Sequence, residues 1–200
     1  KEVKKLLADE YSYVCKTSGD TEVILASYAI LGETCFSLFD GVWALVIYDG
    51  NKIVASRDRL GEKPLYKYET NNELIFSSQI SPILAYLGDY SINFYEVNAV
   101  TLFGYHGDIL ATCFKGIDQF SPATYEIYNC SFERFAKKAS TVFWEITDYI
   151  GSTNSRSSYD DATLLTQLIK ESVLARVPKD SQFGLTLSGG VDSTIMAYCL

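Results

Sequence analysis

The sequence predicts an α+β N-terminal part followed by the start of an α/β parallel-sheet domain. Three observations predict it. Short β-rich runs separated by turn signals extend from Val42 to Tyr128. A polar stretch of Gly, Ser, Thr, Asn and Arg occupies Gly151–Ser158. A strand–glycine loop–helix pattern runs from Phe183 to the last residue. Consecutive hairpins imply antiparallel sheet, whereas a strand feeding a glycine loop and then a helix is how an α/β domain opens. The organisation read from this is 1–150, a linker at 151–158, and 159–200.

The elements follow in order. Val3, Leu6 and Leu7 recur at helical spacing, as do Val23, Ile24, Ser27, Tyr28 and Leu31, with Gly32 as the stop. Val42–Tyr48 is an apolar, β-rich run. Asp49-Gly50 signals a tight turn, and Lys52–Ser56 reads as the returning strand. Leu65–Tyr68 and Leu74–Ser77 form a second pair around the polar turn Glu69–Glu73. Ile109–Phe114 and Thr124–Tyr128 read as a third. Beyond the linker, Asp161–Val177 carries Leu164, Leu165, Leu168 and Val173 on one side of a helix. Phe183–Leu187 reads as a strand, and a second helix begins near Ser193.

Composition narrows the class. Apolar residues make up 48% of the 200, enough for a sizeable core. The net charge of -8 is the reverse of a nucleic-acid footprint. No apolar run approaches the roughly 20 residues needed to span a bilayer, and Lys1–Glu10 is too charged for a signal peptide. The five cysteines (Cys15, Cys35, Cys113, Cys130 and Cys199) form no C-x-x-C pair and are odd in number, which fits reduced thiols in a cytoplasmic protein. The single histidine, His106, has no partner for a zinc site. The chain starts at Lys1 inside one helix-like pattern and stops inside another, so a fragment cut at both ends is expected.

The loop Leu187-Ser188-Gly189-Gly190-Val191-Asp192-Ser193-Thr194 has the parts of an anion cradle. Paired glycines let backbone N–H groups approach a ligand without a Cβ in the way. Ser188, Ser193 and Thr194 add hydroxyls, and the following helix turns its positive end to the same spot. Asp192 repels phosphate directly, and a Mg²⁺ ion between them would explain it. No Gly-Lys-Ser/Thr follows, so this is not the common P-loop. The plain alternative is a Gly-Gly turn between strand and helix.

The pattern S-G-G-x-D-S resembles the pyrophosphate loop of the ATP pyrophosphatase superfamily, in which a substrate attacks the α-phosphate and pyrophosphate leaves. Upstream, Ser56–Tyr66 resembles the "RDRxGxKPLY" stretch of class II glutamine amidotransferases, although it could equally be a structural hairpin. Ser18–Leu25 resembles their "SDxEVI" segment, and that resemblance gives Asp20 the α-amino group of glutamine. The competing reading is that Asp20 caps the next helix. Gly41-Val42-Trp43-Ala44-Leu45, Phe76–Ile80 and Phe143-Trp144 are further family-like pieces.

Together these resemble the glutamine-hydrolysing asparagine synthetase family over nearly the whole chain. The resemblance implies an αββα Ntn glutaminase sandwich, lacking its N-terminal part, and then an asparagine synthase domain. It implies glutamine hydrolysis feeding ammonia to a β-aspartyl-adenylate, with ATP and Mg²⁺ as cofactors and aspartate or another carboxylate as acceptor. A homodimer is a further expectation. The family's nucleophile is an N-terminal cysteine whose own amine is the base. No cysteine here has a free amine, so no catalytic residue is assigned and no glutamine turnover is expected of these 200 residues alone. Gln79, Ser81, Ala123 and Ser181–Gly184 depart from the family pattern, and Ser131–Lys138 has no family counterpart. The rival readings are a related amidotransferase or β-lactam-synthetase-like enzyme, and a non-catalytic glutaminase-like module.

Overall fold

The computed structural model describes residues 2–131, 134–150, 158–178 and 182–200. They fall into two compact units, Lys1–Ile150 and Gly151–Leu200.

The first unit opens with α1 (Glu2–Tyr11) and α2 (Asp20–Leu31). α2 ends at Gly32, whose φ of +62° is cheap only for glycine and whose N–H reaches the Tyr28 carbonyl. A 3-10 turn leads into the one-turn helix α3 (Cys35–Leu38). β1 (Ala44–Asp49) and β2 (Lys52–Arg57) form the expected hairpin, with Asp49 opposite Lys52 and Gly50 at φ +59°. β3 (Tyr66–Glu69) and β4 (Leu74–Ser77) form the second. Then come α4 (Ile80–Leu87), α5 (Phe94–Phe103), β5 (Ile117–Gln119), β6 (Thr124–Ser131) and β7 (Arg134–Val142).

These strands make two antiparallel sheets, of order β1-β2-β6-β7 and β4-β3-β5. Alternation along β2 shows how they stack. Val54 joins a core of Tyr28, Cys35, Phe36, Phe39, Trp43 and Ile47, whereas its neighbour Ala55 joins Leu65 and Phe120 from the other sheet. The four-stranded sheet is thus buried on both faces, against helices on one and the second sheet on the other. This α+β layering is compatible with an Ntn glutaminase.

The expected third hairpin is not formed. Ile109–Phe114 holds only isolated bridges, Ala111 to Asp118 and Phe114 to Ile92. Much of its bonding is local, although the Leu110 and Cys113 carbonyls accept the Gln119 and Asn93 amides. The Ala111 and Leu110 amides bond to Asp108, and the Thr112 hydroxyl bonds both the Phe114 amide and the Ile117 carbonyl. Thr124–Tyr128 lies instead in β6, between β2 and β7.

The second unit contains α6 (Ser158–Arg176) and α7 (Val191–Cys199). The expected strand Phe183–Leu187 is not a strand, because among the described residues no neighbour pairs with 182–188. The parallel sheet expected of this part is therefore not present among them. The expected linker lies outside the described residues up to position 157.

Contrary to the expectation that no apolar run approaches a bilayer-spanning length, one stretch, Asp20–Leu38, is long and apolar enough by composition to cross a membrane. A 3-10 break interrupts it, and Tyr28, Cys35 and Phe36 are core residues.

Candidate functional site

Asp20 is the first residue of α2. Helix starts favour carboxylates, and the first turn holds two, Asp20 and Glu22. Their geometry separates them. Glu22 turns back onto the preceding loop, accepting bonds from the Lys16 amide (2.8 Å), the Thr17 amide (2.6 Å) and the Thr17 hydroxyl (2.6 Å). These bonds, the Thr17 hydroxyl first, hold its carboxyl down at about 2. Asp20 caps nothing. The N-cap is Gly19, which makes no side-chain bond. The Asp20 carboxylate is exposed and has no partner among the described residues.

Asp20 lines a cleft of about 180 Å³ with Val3, Val23, Phe39, Asp40 and Gly41. A second cleft of about 490 Å³ shares Ile24, Val42 and Trp43 with the first and adds Lys63, Pro64 and Ser78. Four sequence pieces that are far apart along the chain therefore meet here: Asp20–Ile24, Gly41–Trp43, Lys63-Pro64 and Ser78. Asp40 supplies a second carboxylate. Sequence reasoning missed it, although it directly precedes the Gly41–Leu45 piece.

Arg57 and Asp58 lie beneath these walls, not in them. Both are buried. Arg57 bonds the carbonyls of Gly61, Lys63 and Phe120. The Asp58 carboxylate accepts four amides, from Trp43 (3.2 Å), Leu60 (3.2 Å), Glu62 (2.9 Å) and Lys63 (3.0 Å). The Arg57–Tyr66 stretch is thus a clasp that sets the Trp43 and Lys63 walls.

Other titratable groups are engaged elsewhere. Burial pushes the Cys35 thiol up to about 12, where it is inert. His106 meets the buried Glu96 carboxylate at 3.1 Å. No cluster of three or more metal-ligating side chains occurs among the described residues. A larger cavity, about 760 Å³, lies between Lys67, Glu69, Asp118 and Lys137. It collects none of the sequence-predicted residues, and its charges neutralise one another.

In the second unit, Gly189 has φ +79° and Gly190 is the N-cap of α7. Ser188 and Ser193 hydroxyls meet at 3.1 Å, and Ser193 and Thr194 hydroxyls bond the Gly190 carbonyl. The first helical bond comes from the Thr194 amide, so the Val191, Asp192 and Ser193 amides precede it and remain available. A Cβ on Gly189 would meet nothing within 4 Å, so the loop faces open space. Leu187 and Val191 are exposed. Among these residues Asp192 alone carries charge, and a metal there would need oxygens from its ligand or water to complete its shell.

The glutamine amidotransferase domain family matches residues 1–141. A putative glutamine-hydrolyzing asparagine synthetase 2 of Methanocaldococcus jannaschii is 33% identical, over 94% of this chain and 36% of its own length. Glutamine-hydrolyzing asparagine synthetase 2 of Bacillus subtilis is 29% identical, over 98% of this chain and 27% of its own. Amidase chry2 of Gibberella zeae is 27% identical, over 97% and 28%. The chain spans about a third or less of the length of these relatives.

Proposed function

Because the chain belongs to the glutamine amidotransferase domain family, we propose that its first unit binds glutamine for an ATP-dependent amidation completed through the second. The observation that carries this is the cleft where Asp20, without a partner among the described residues, faces the Gly41–Trp43 piece, and which shares Ile24, Val42 and Trp43 with the neighbouring cleft of Lys63, Pro64 and Ser78. A carboxylate with no partner among the described residues suits an ammonium group, and charge-assisted bonds are the stronger kind. Asp40 would add to the same negative wall. The first unit is read as an Ntn glutaminase and 159–200 as the opening of a synthetase domain.

In this reading Leu187–Thr194 receives ATP phosphates at the N-terminus of α7, with Ser188, Ser193 and Thr194 as hydroxyl donors. Asp192 would hold Mg²⁺, which supplies charge neutralisation on the phosphates. The reaction balances as follows. Glutamine and water give glutamate and ammonia. The acceptor carboxylate displaces pyrophosphate from ATP to give an acyl-adenylate. Ammonia then displaces AMP and forms the amide. With aspartate as acceptor the product is asparagine, the activity for which several relatives are named. A second acceptor is supported by the relatives named amidase, which match as much of this chain. The reading is of a cytoplasmic enzyme that pairs as a homodimer.

The test uses the intact protein with ATP, Mg²⁺, aspartate and either glutamine or ammonium. Asp20→Asn is expected to lower the glutamine-fed rate about 10- to 100-fold, the worth of one charged hydrogen bond, and to spare the ammonium-fed rate. An unchanged glutamine-fed rate would remove Asp20 from the site. Absence of AMP and pyrophosphate with every carboxylate tried would remove the ATP reading.

A further inference from the structure

We infer that Glu22 is a positioning residue for the ligand-facing carboxylate of Asp20, and that it acts by tying the start of α2 to the loop before it. This rests on the reading of Asp20 as the glutamine contact.

The argument begins at the helix start. The first four amides of a helix have no partner within it, and a side-chain cap is what usually stops the end from fraying. α2 begins at Asp20, and its N-cap, Gly19, has no side chain to offer. Asp20 therefore sits on the least secured turn of the helix. Glu22 stands in for the missing cap, though not by bonding the N-cap amide. Its carboxylate reaches back five to six residues, to the amides of Lys16 and Thr17 and the hydroxyl of Thr17, and Tyr13 adds a longer bond at 3.2 Å.

The loop it holds is itself constrained. Ser12 takes a left-handed φ of +55°, uncommon for a residue with a Cβ and retained where surrounding contacts fix it. The Tyr13 amide bonds the Leu7 carbonyl, and Lys4 bonds the Thr17 carbonyl from α1. The result is a three-part tether: α1 to loop through Lys4, loop to α2 through Glu22. Both helices line the Asp20 cleft, α1 through Val3 and α2 through Asp20, Val23 and Ile24. Releasing Glu22 leaves the cleft's lining residues in place and loosens the turn that aims Asp20.

The experiment measures L-glutamine binding to the intact protein by titration calorimetry, with amide chemical shifts of Thr17 and Asp20 as a second readout. Glu22→Ala is expected to weaken binding about fivefold and to shift both amides, while lowering the melting temperature by only about 2–4 °C. Glu22→Gln, which keeps one acceptor oxygen, should fall between it and wild type. The double variant Asp20→Asn with Glu22→Ala should bind no worse than Asp20→Asn alone, because Glu22 acts only through Asp20. If Glu22→Ala binds like wild type while Asp20→Asn does not, the inference is overturned and the glutamine reading stands. Additive losses in the double variant also overturn it. If wild type binds no glutamine, the underlying reading fails first.

Discussion

Lys67→Met tests how the two sheets of the first unit are joined. Lys67 rises from β3, and its ammonium lies 2.8 Å from Glu126 on β6 and 3.0 Å from Glu69. It also meets the Tyr128 hydroxyl at 3.1 Å. Lys67 and Glu126 side chains are 12% and 10% exposed, so the pair is largely out of water. Removing one partner of a buried pair costs about 3–5 kcal/mol, since the other charge is left behind. Here Glu126 keeps Lys137 at 2.8 Å and the Tyr128 hydroxyl, which places the cost at the lower end, about 3 kcal/mol. For a unit of this size, that lowers the melting temperature by about 6–12 °C.

The pH dependence gives a second check. Burial alone would raise the Glu126 carboxyl, but bonds from Lys137, Lys67 and Tyr128 outweigh it and hold the group below its ordinary value. A depressed carboxylate stabilises the fold above its unfolded pKa, about 4.3, and that stability is lost as pH falls through the folded value. Lys67 is raised despite its burial, by Glu126 and then Glu69, so its share is full below about 10.4 and lost at higher pH. Thermal unfolding followed by circular dichroism at pH 7 should show the full deficit of Lys67→Met. The deficit should shrink as pH falls through the depressed Glu126 value, because a protonated Glu126 no longer needs the Lys67 ammonium. A loss under about 1 kcal/mol at pH 7 would refute the reasoning, because the site would then behave as a solvated surface cluster.

Three further outcomes are expected. Asp58→Asn places an amide N–H₂ against two of the four backbone donors that Asp58 now accepts, and should cost about 2–3 kcal/mol in chemical denaturation. Gly61→Ala puts a Cβ at φ +67°, 3.0 Å from Arg57 and Pro122, and should cost about 2 kcal/mol in the same assay; an unchanged midpoint would mean that the turn yields freely. Asp192→Ala is expected to abolish Mg²⁺-dependent pyrophosphate release by the intact protein while leaving its melting temperature alone, since Asp192 is exposed and makes no structural bond among the described residues. Unchanged pyrophosphate release would remove Asp192 from the phosphate site.

The legible parts of the fold were those with local signals. Asp49-Gly50 fixed a hairpin because its backbone demand is met within two residues, and Gly32 ended α2 for the same reason. What stayed hidden depends on distant partners. α5 is apolar on most sides, with Phe94, Tyr95, Leu102 and Phe103 exposed and Ala99 buried, so no helical stripe stands out. β7 carries Phe135 and Val142 near its ends but Ala, Lys, Lys, Ala, Ser and Thr between them, and becomes a strand because β6 offers an edge. Ile109–Phe114 had strand-like residues, yet Asp108 and Thr112 bond its backbone into a turn.

The candidate site divides along the same line. Asp20 could be picked out because it stands in a recognisable segment, but the reason its carboxylate has no partner among the described residues could not. That depends on Glu22 taking the loop amides and on Gly19 leaving the cap empty, a division of labour between two carboxylates two residues apart. In the same way Arg57-Asp58 looked as suited to catalysis as to structure. Their burial decides it, since a carboxylate already accepting four amides has no lone pair aimed at a substrate. Motif residues in this chain thus separate into those whose polar groups are satisfied by the backbone and those left open. Ligand contacts should be sought among the open ones, Asp20 and Asp40 in the first unit and Asp192 in the second.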